Sequence, residues 1–260
     1  MPPISNQRYS AEILSSTDTF AGLVDGADLT RPVPTCPDWT LRQLTTHVGR
    51  AQRWAAEIIT TRSATPIPFR EVPDGRLPDD PAQHVPWLRA GAERLVMAVR
   101  QAGSDPVWTP AGTGPASYWA RRMAHETAVH RADAELAAGR QPAFQPDLAA
   151  DAIDEWLGFL SAPESGAEDP RLGALPEGSV LHIHATDDGL AGTGSGEWLI
   201  RHEGSRISVQ PGHGKGDAAV RGPAGQLLLV LLRRLPPETA GVQVLGDSGL
   251  LTAWLAATPF

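Results

Sequence analysis

The stretch Arg121-Arg-Met-Ala-His-Glu-Thr-Ala-Val-His-Arg131 decides how this chain is read. Glu126 and His130 stand four positions apart, so on a helix their side chains differ by about 40° around the axis and reach the same point. They interrupt the stripe Trp119, Met123, Glu126, His130, Ala134 and Ala137, which is the apolar face of the segment. Two ligand-type side chains on a core-facing stripe suit either a metal ion or a buried hydrogen-bonded Glu–His pair. The same stretch does not make a zinc-protease helix. That motif needs histidines four apart, whereas His125 and His130 are five apart and about 140° out of phase. His125 then packs at the helix side or orients a ligand.

A third ligand comes from the segment Thr35-Cys-Pro-Asp-Trp-Thr-Leu-Arg-Gln-Leu-Thr-Thr-His-Val-Gly49. Thr40 followed by Gln43 is a capping-box pattern, and Leu41, Leu44, His47, Val48, Ala51, Trp54, Ala55 and Ile58 recur at helical spacing behind it. His47 alone reads as a core histidine. With Glu126 and His130 it completes a His, Glu, His set facing one bundle interior. Three protein ligands leave a coordination position open, as catalytic zinc requires.

Length and composition frame the site. The 260 residues, 41% hydrophobic and 20% charged, suffice for two ordinary domains. The single cysteine, Cys36, excludes a disulfide framework and a cysteine-rich zinc site; it stands in a Pro-flanked turn with no adjacent base and reads as packing before a helix, at the border of the site at most. A net charge of −8 without a basic cluster argues against nucleic acid. With no leader-like segment and no apolar run longer than Leu227 to Leu232, a cytoplasmic protein without a membrane span is expected. Lys215 is the only lysine, an arginine bias consistent with high-GC coding.

Periodicity predicts helices over 5–25, 40–62, 79–102 and 115–138, a four-helix bundle, with an irregular connection over about 63–78. A further helix over 146–162 leads out of the bundle, and a linker runs from Ala162 to Pro170. Beyond it the period becomes two. Strands are expected at Val180–Ala185, Glu197–His202, Ser205–Gln210 and Val242–Leu245, with an apolar helix from Pro223 to Leu235 and a last helix from Leu250 to Ala257. The fold class is therefore α+β in two domains, 1–162 and 171–260.

Four segments in order carry a resemblance: Val33-Pro-Thr-Cys-Pro-Asp-Trp-Thr40 with His47, Arg122–Arg131, Leu181-His-Ile-His-Ala-Thr-Asp187, and Val220-Arg-Gly-Pro-Ala224. Together they resemble the mycothiol-dependent maleylpyruvate isomerase family over nearly the whole chain. The resemblance implies an N-terminal DinB-like four-helix bundle that holds zinc or a similar divalent metal through His47, Glu126 and His130, and a small sterol-carrier-like α+β C-terminal domain. It also implies mycothiol, a low-molecular-weight thiol of high-GC Gram-positive bacteria, as cofactor.

An open zinc site and a thiol imply thiolate chemistry on a small electrophile, either S-transfer or cis–trans isomerisation. Dicarboxylate substrates call for arginines, and Arg122, one turn before Glu126, and Arg221 are the catalytic candidates; Arg50 is a further one. Each also reads as a solvated or salt-bridging residue. His182 and His184 share a strand face, where a second metal site would need a carboxylate or another histidine beside them, and polar contact or packing is the simpler reading. The alternative function is a metal-stabilised bundle that binds a ligand or partner without turnover.

Overall fold

The computed structural model describes residues 4–161, 175–190, 196–204 and 206–258. The chain divides into two compact units, Pro2–Pro142 and Ala143–Phe260.

The first unit is a bundle of α1 (Asn6–Val24), α2 (Leu41–Thr61), α3 (His84–Ala102) and α4 (Ser117–Ala137). Helix α2 begins where the sequence places it. The Thr40 hydroxyl accepts from the Gln43 amide, and the Gln43 side chain accepts from the Thr40 amide, a reciprocal cap of about 1 kcal/mol. Helix α3 starts later than expected, because Pro81 opens a separate 3-10 turn (Pro81–Gln83) that is capped by Asp80. Helix α1 packs on α3 and α4, and α2 packs on the same two helices. Helix α4 is consequently buried almost all round between Trp119 and Ala134, not along one stripe. Its alanines at 120, 124, 128, 132 and 134 are what permit neighbours on several sides to come close.

Two features of this unit escape periodicity. A hairpin of β1 (Pro106–Thr109) and β2 (Gly112–Pro115) precedes α4, with strands too short and too rich in Gly and Pro to show alternation. The connection after α2 is not a bare surface loop. It contains a 3-10 turn, Phe69–Glu71, and buries Val72 and Leu77.

The second unit starts earlier than the expected boundary near residue 162. Helix α5 (Pro146–Ser161) packs its buried face, with Leu148, Ile153, Leu157 and Leu160, against elements of this unit. The expected linker, Ala162–Pro170, lies outside the described residues. A five-stranded sheet follows, formed by β3 (Val180–Ala185), β4 (Glu197–Glu203), β5 (Arg206–Pro211), β6 (Ala218–Gly222) and β7 (Gln243–Gly246). Its order is β5-β4-β3-β6-β7, and β3 and β6 are parallel while the other pairs are antiparallel. Strand β6 is the one that pattern reading left out; it is five residues long, yet it lies inside the sheet with Ala218 and Val220 fully buried.

Helix α6 (Ala224–Leu231), the short α7 (Pro237–Ala240) and α8 (Ser248–Ala257) complete the unit. Helix α6 stops four residues before the expected Leu235. Arg233 takes a left-handed conformation, and the Arg234 amide reaches back to the Leu229 carbonyl, closing the helix with a Schellman turn.

Candidate metal centre

Helices α2 and α4 bring the three sequence-derived ligands together. His47 Nε2 lies 2.8 Å from Glu126 Oε1, and His130 Nε2 lies 3.3 Å from the same oxygen. The two imidazole rings meet nearly at right angles with centroids 4.8 Å apart. The donor atoms of His47, Glu126 and His130 all lie within 4.8 Å of one another, a spacing one ion can bridge. The other Glu126 oxygen, Oε2, is ion-paired with Arg122, which leaves Oε1 to face the histidines.

A second carboxylate sets the state of His130. Asp133, fully buried, accepts from His130 Nδ1 at 2.8 Å. With Nδ1 committed to a proton, the Nε2 lone pair is the one available for a metal, the arrangement that fixes a ligating histidine in its ring orientation. Asp133 is held in turn by the Thr35 hydroxyl, which donates to Oδ1 at 2.6 Å, and by the Cys36 thiol, which donates to Oδ2 at 3.3 Å.

Those two donors come from the loop between α1 and α2. Hydrogen bonds from the Val33 amide to the Trp39 carbonyl, and from the Cys36 amide to the Val33 carbonyl, fold it into a tight turn, with Asp38 in a left-handed conformation. Arg31 ties its start to α4 by donating to the Ala137 carbonyl. The turn also lays Trp39 over both histidines, 5.0 Å from His47 and stacked 6.2 Å from His130. Phe69, from the 3-10 turn after α2, covers His47 at 5.8 Å and meets Trp54 edge-on. His47 and His130 therefore sit against aromatic walls, where electrostatic interactions are weakly screened.

Burial and pairing act in opposite senses on the two inner groups. Burial alone would raise the Glu126 carboxyl, but the Arg122 charge and the hydrogen bonds from His130 and His47 hold it well below the usual carboxylate range. Burial alone would lower His130; the hydrogen bonds to Asp133, Cys36 and Glu126 instead raise it well above an ordinary histidine. In the metal-free chain this is an ion-paired cluster, and both readings of the Glu126–His130 pair describe one set of atoms.

Cys36 has no base among its sequence neighbours, and the fold sets it at the border of the site, beside Asp133 and His130. Sequence reasoning missed Asp133, Thr35, Trp39 and Phe69. Only Asp133 had a local signal, standing three positions after His130. His125 faces Tyr9 of α1, edge-on at 6.0 Å. Arg50 donates from Nε to the Gly75 carbonyl and lies over Phe69. Arg221 belongs to the second unit, on β6, where it is exposed and donates to Gln243.

The N-terminal domain model of mycothiol maleylpyruvate isomerase matches residues 10–135, and the model of the C-terminal domain of that family, MDMPI, matches residues 147–253. The chain belongs to the mycothiol maleylpyruvate isomerase family. Membership of that family supports an enzyme of the isomerase type. A crystal structure of a mycothiol-dependent maleylpyruvate isomerase is 15% identical, with 95% of this chain and 94% of that one covered at a TM-score of 0.59. A histidine-to-alanine mutant of such an isomerase gives 14% identity, the same coverage and the same TM-score. At that identity the likeness shows a shared fold. No curated protein matches the sequence. Among the described residues no helix is long and apolar enough to cross a membrane.

Proposed function

We propose that this chain is a mycothiol-dependent metalloenzyme. In its reaction the thiolate of the bound thiol adds to an electrophilic small molecule, then is either expelled after bond rotation, a cis–trans isomerisation of the maleylpyruvate type, or kept as an S-conjugate. The observation that carries this is the convergence of His47 Nε2 and His130 Nε2 on one oxygen of Glu126, with Asp133 holding the far nitrogen of His130. Two imidazoles and one carboxylate fit a zinc-class ion with an open position. Bound there, such an ion supplies a Lewis acid that lowers the pKa of a thiol, so that thiolate is available at neutral pH.

The remaining work falls to the chain. Asp133 holds the proton on His130 Nδ1 and fixes the imidazole plane. Arg122 neutralises Glu126 from the side away from the histidines and keeps it ionised. Trp39 and Phe69 exclude water from the ligand side of the histidines. Arg122 is proposed as an anchor for a substrate carboxylate, since a guanidinium fork matches a carboxylate in two hydrogen bonds.

Metal-loaded protein incubated with mycothiol and a panel that includes maleylpyruvate and other electrophiles, with mass detection, tests the reading. Isomer or conjugate is expected only when metal and thiol are both present. No product from any electrophile under those conditions would overturn it.

A further inference from the structure

The second unit gathers three of its four histidines, at 182, 184, 202 and 213, around one carboxylate. Alternation along β3 turns Leu181, Ile183 and Ala185 to one face of the sheet and His182 and His184 to the other. The antiparallel register sets Glu197 of β4 directly opposite His184, on the same face. The fourth group arrives on the loop Pro211-Gly-His-Gly-Lys-Gly-Asp217.

That loop lies flat on the sheet. The Gly212 amide donates to the Glu197 carbonyl at 2.9 Å, and the Asp217 amide donates to the Val180 carbonyl at 2.8 Å. A Cβ at Gly214 would come within 2.7 Å of Leu199 Cδ1, and one at Gly216 within 2.5 Å of the Ala218 carbonyl oxygen and 3.1 Å of His182 Cβ. Glycine at those positions lets the backbone approach closely enough to bring His213 onto the histidine face.

The donor geometry is that of a ligand shell. Glu197 Oε2 lies 2.9 Å from His182 Nε2, 2.7 Å from His213 Nδ1 and 3.6 Å from His184 Nδ1, and the four donor atoms all lie within 4.8 Å of one another. A tetrahedral zinc with bonds of about 2.0–2.1 Å needs donors roughly 3.3 Å apart. Without an ion, three imidazoles compete for one carboxylate oxygen, an arrangement that satisfies at most part of their hydrogen-bonding capacity. His182 is buried, so its ring has little access to water as an alternative partner.

We propose that His182, His184, Glu197 and His213 bind a second divalent ion of the zinc class. Four protein ligands make a closed, structural shell, unlike the three-ligand set of the bundle. Its effect is to pin the loop 212–217 to the face of β3 and β4.

Tag-free full-length protein is loaded with Zn²⁺, dialysed and analysed for metal. About two zinc ions per chain are expected, falling to about one in the His47→Ala/His130→Ala protein and to about one in His184→Ala/Glu197→Gln. In the His47→Ala/His130→Ala background, Co²⁺ should give the visible absorption of a tetrahedral site, and adding His213→Ala should weaken its binding at least tenfold. His213 is exposed, so that change leaves the sheet intact, as circular dichroism will check. A protein that loses all its zinc with His47 and His130 overturns the proposal. One that keeps a single zinc in that variant, and loses it with Glu197→Gln, upholds it even if the bundle holds no metal.

Discussion

A carboxylate on the far nitrogen of a ligating imidazole governs metal affinity without touching the ion, and Asp133 stands in that position toward His130. Asp133→Ala should lower zinc affinity by roughly 10–100-fold, as measured by chelator competition, whereas Asp133→Glu should recover part of it. An unchanged affinity in the alanine variant would remove Asp133 from the centre. Cys36 shares the same carboxylate, and this contact makes its chemistry testable. A serine hydroxyl can donate to Asp133 as the thiol does, so Cys36→Ser should keep most of its activity when mycothiol is supplied. A dead Cys36→Ser enzyme, together with a wild type that needs no added thiol, would place the nucleophile in the chain.

At the scale of elements, the approach of α2 to α3 depends on Gly49. A Cβ there would run into the ring of Trp87, whose indole nitrogen donates to the Asp74 carbonyl and whose face carries the Arg53 guanidinium at 4.2 Å. With the ring held on two sides it has little room to retreat. Gly49→Ala should therefore cost about 1–3 kcal/mol of stability in denaturant unfolding, despite alanine's better helix propensity. Since Gly49 is two positions from His47, zinc affinity should fall as well. A variant as stable as the parent would show that the α2–α3 packing adjusts freely.

The chain divides into two compact units, and all three proposed ligands of the bundle site, together with Asp133, Thr35 and Cys36, precede Pro142. A fragment of residues 1–142 should therefore fold as a helical bundle, retain about one zinc ion per chain and have lost nearly all activity toward electrophiles. A folded fragment unable to hold zinc would show that residues beyond 142 contribute to the site; a fully active one would confine the reaction to the bundle. The cut belongs at 142 because α5 packs with the second unit. A pattern of apolar residues at helical spacing shows that a helix exists but not which core receives it; the helix over 146–162, expected to lead out of the bundle, packs as α5 against α6 and β5.

By itself the sequence determined the helices of the bundle, the change to strands beyond them, and the choice of His47, Glu126 and His130 as the proposed ligands, because helical spacing is a local geometry that residue numbers encode directly. Thr40 and Gln43 announced the start of α2 in the same way. Only the tertiary structure decided what surrounds those three residues. Thr35, Cys36 and Trp39 meet α4 through a loop closed by its own hydrogen bonds, and Phe69 reaches His47 from an irregular connection; neither contact has a period to read. The same holds for His213, which joins His182, His184 and Glu197 because strand register and a glycine-rich loop cancel the distance along the chain.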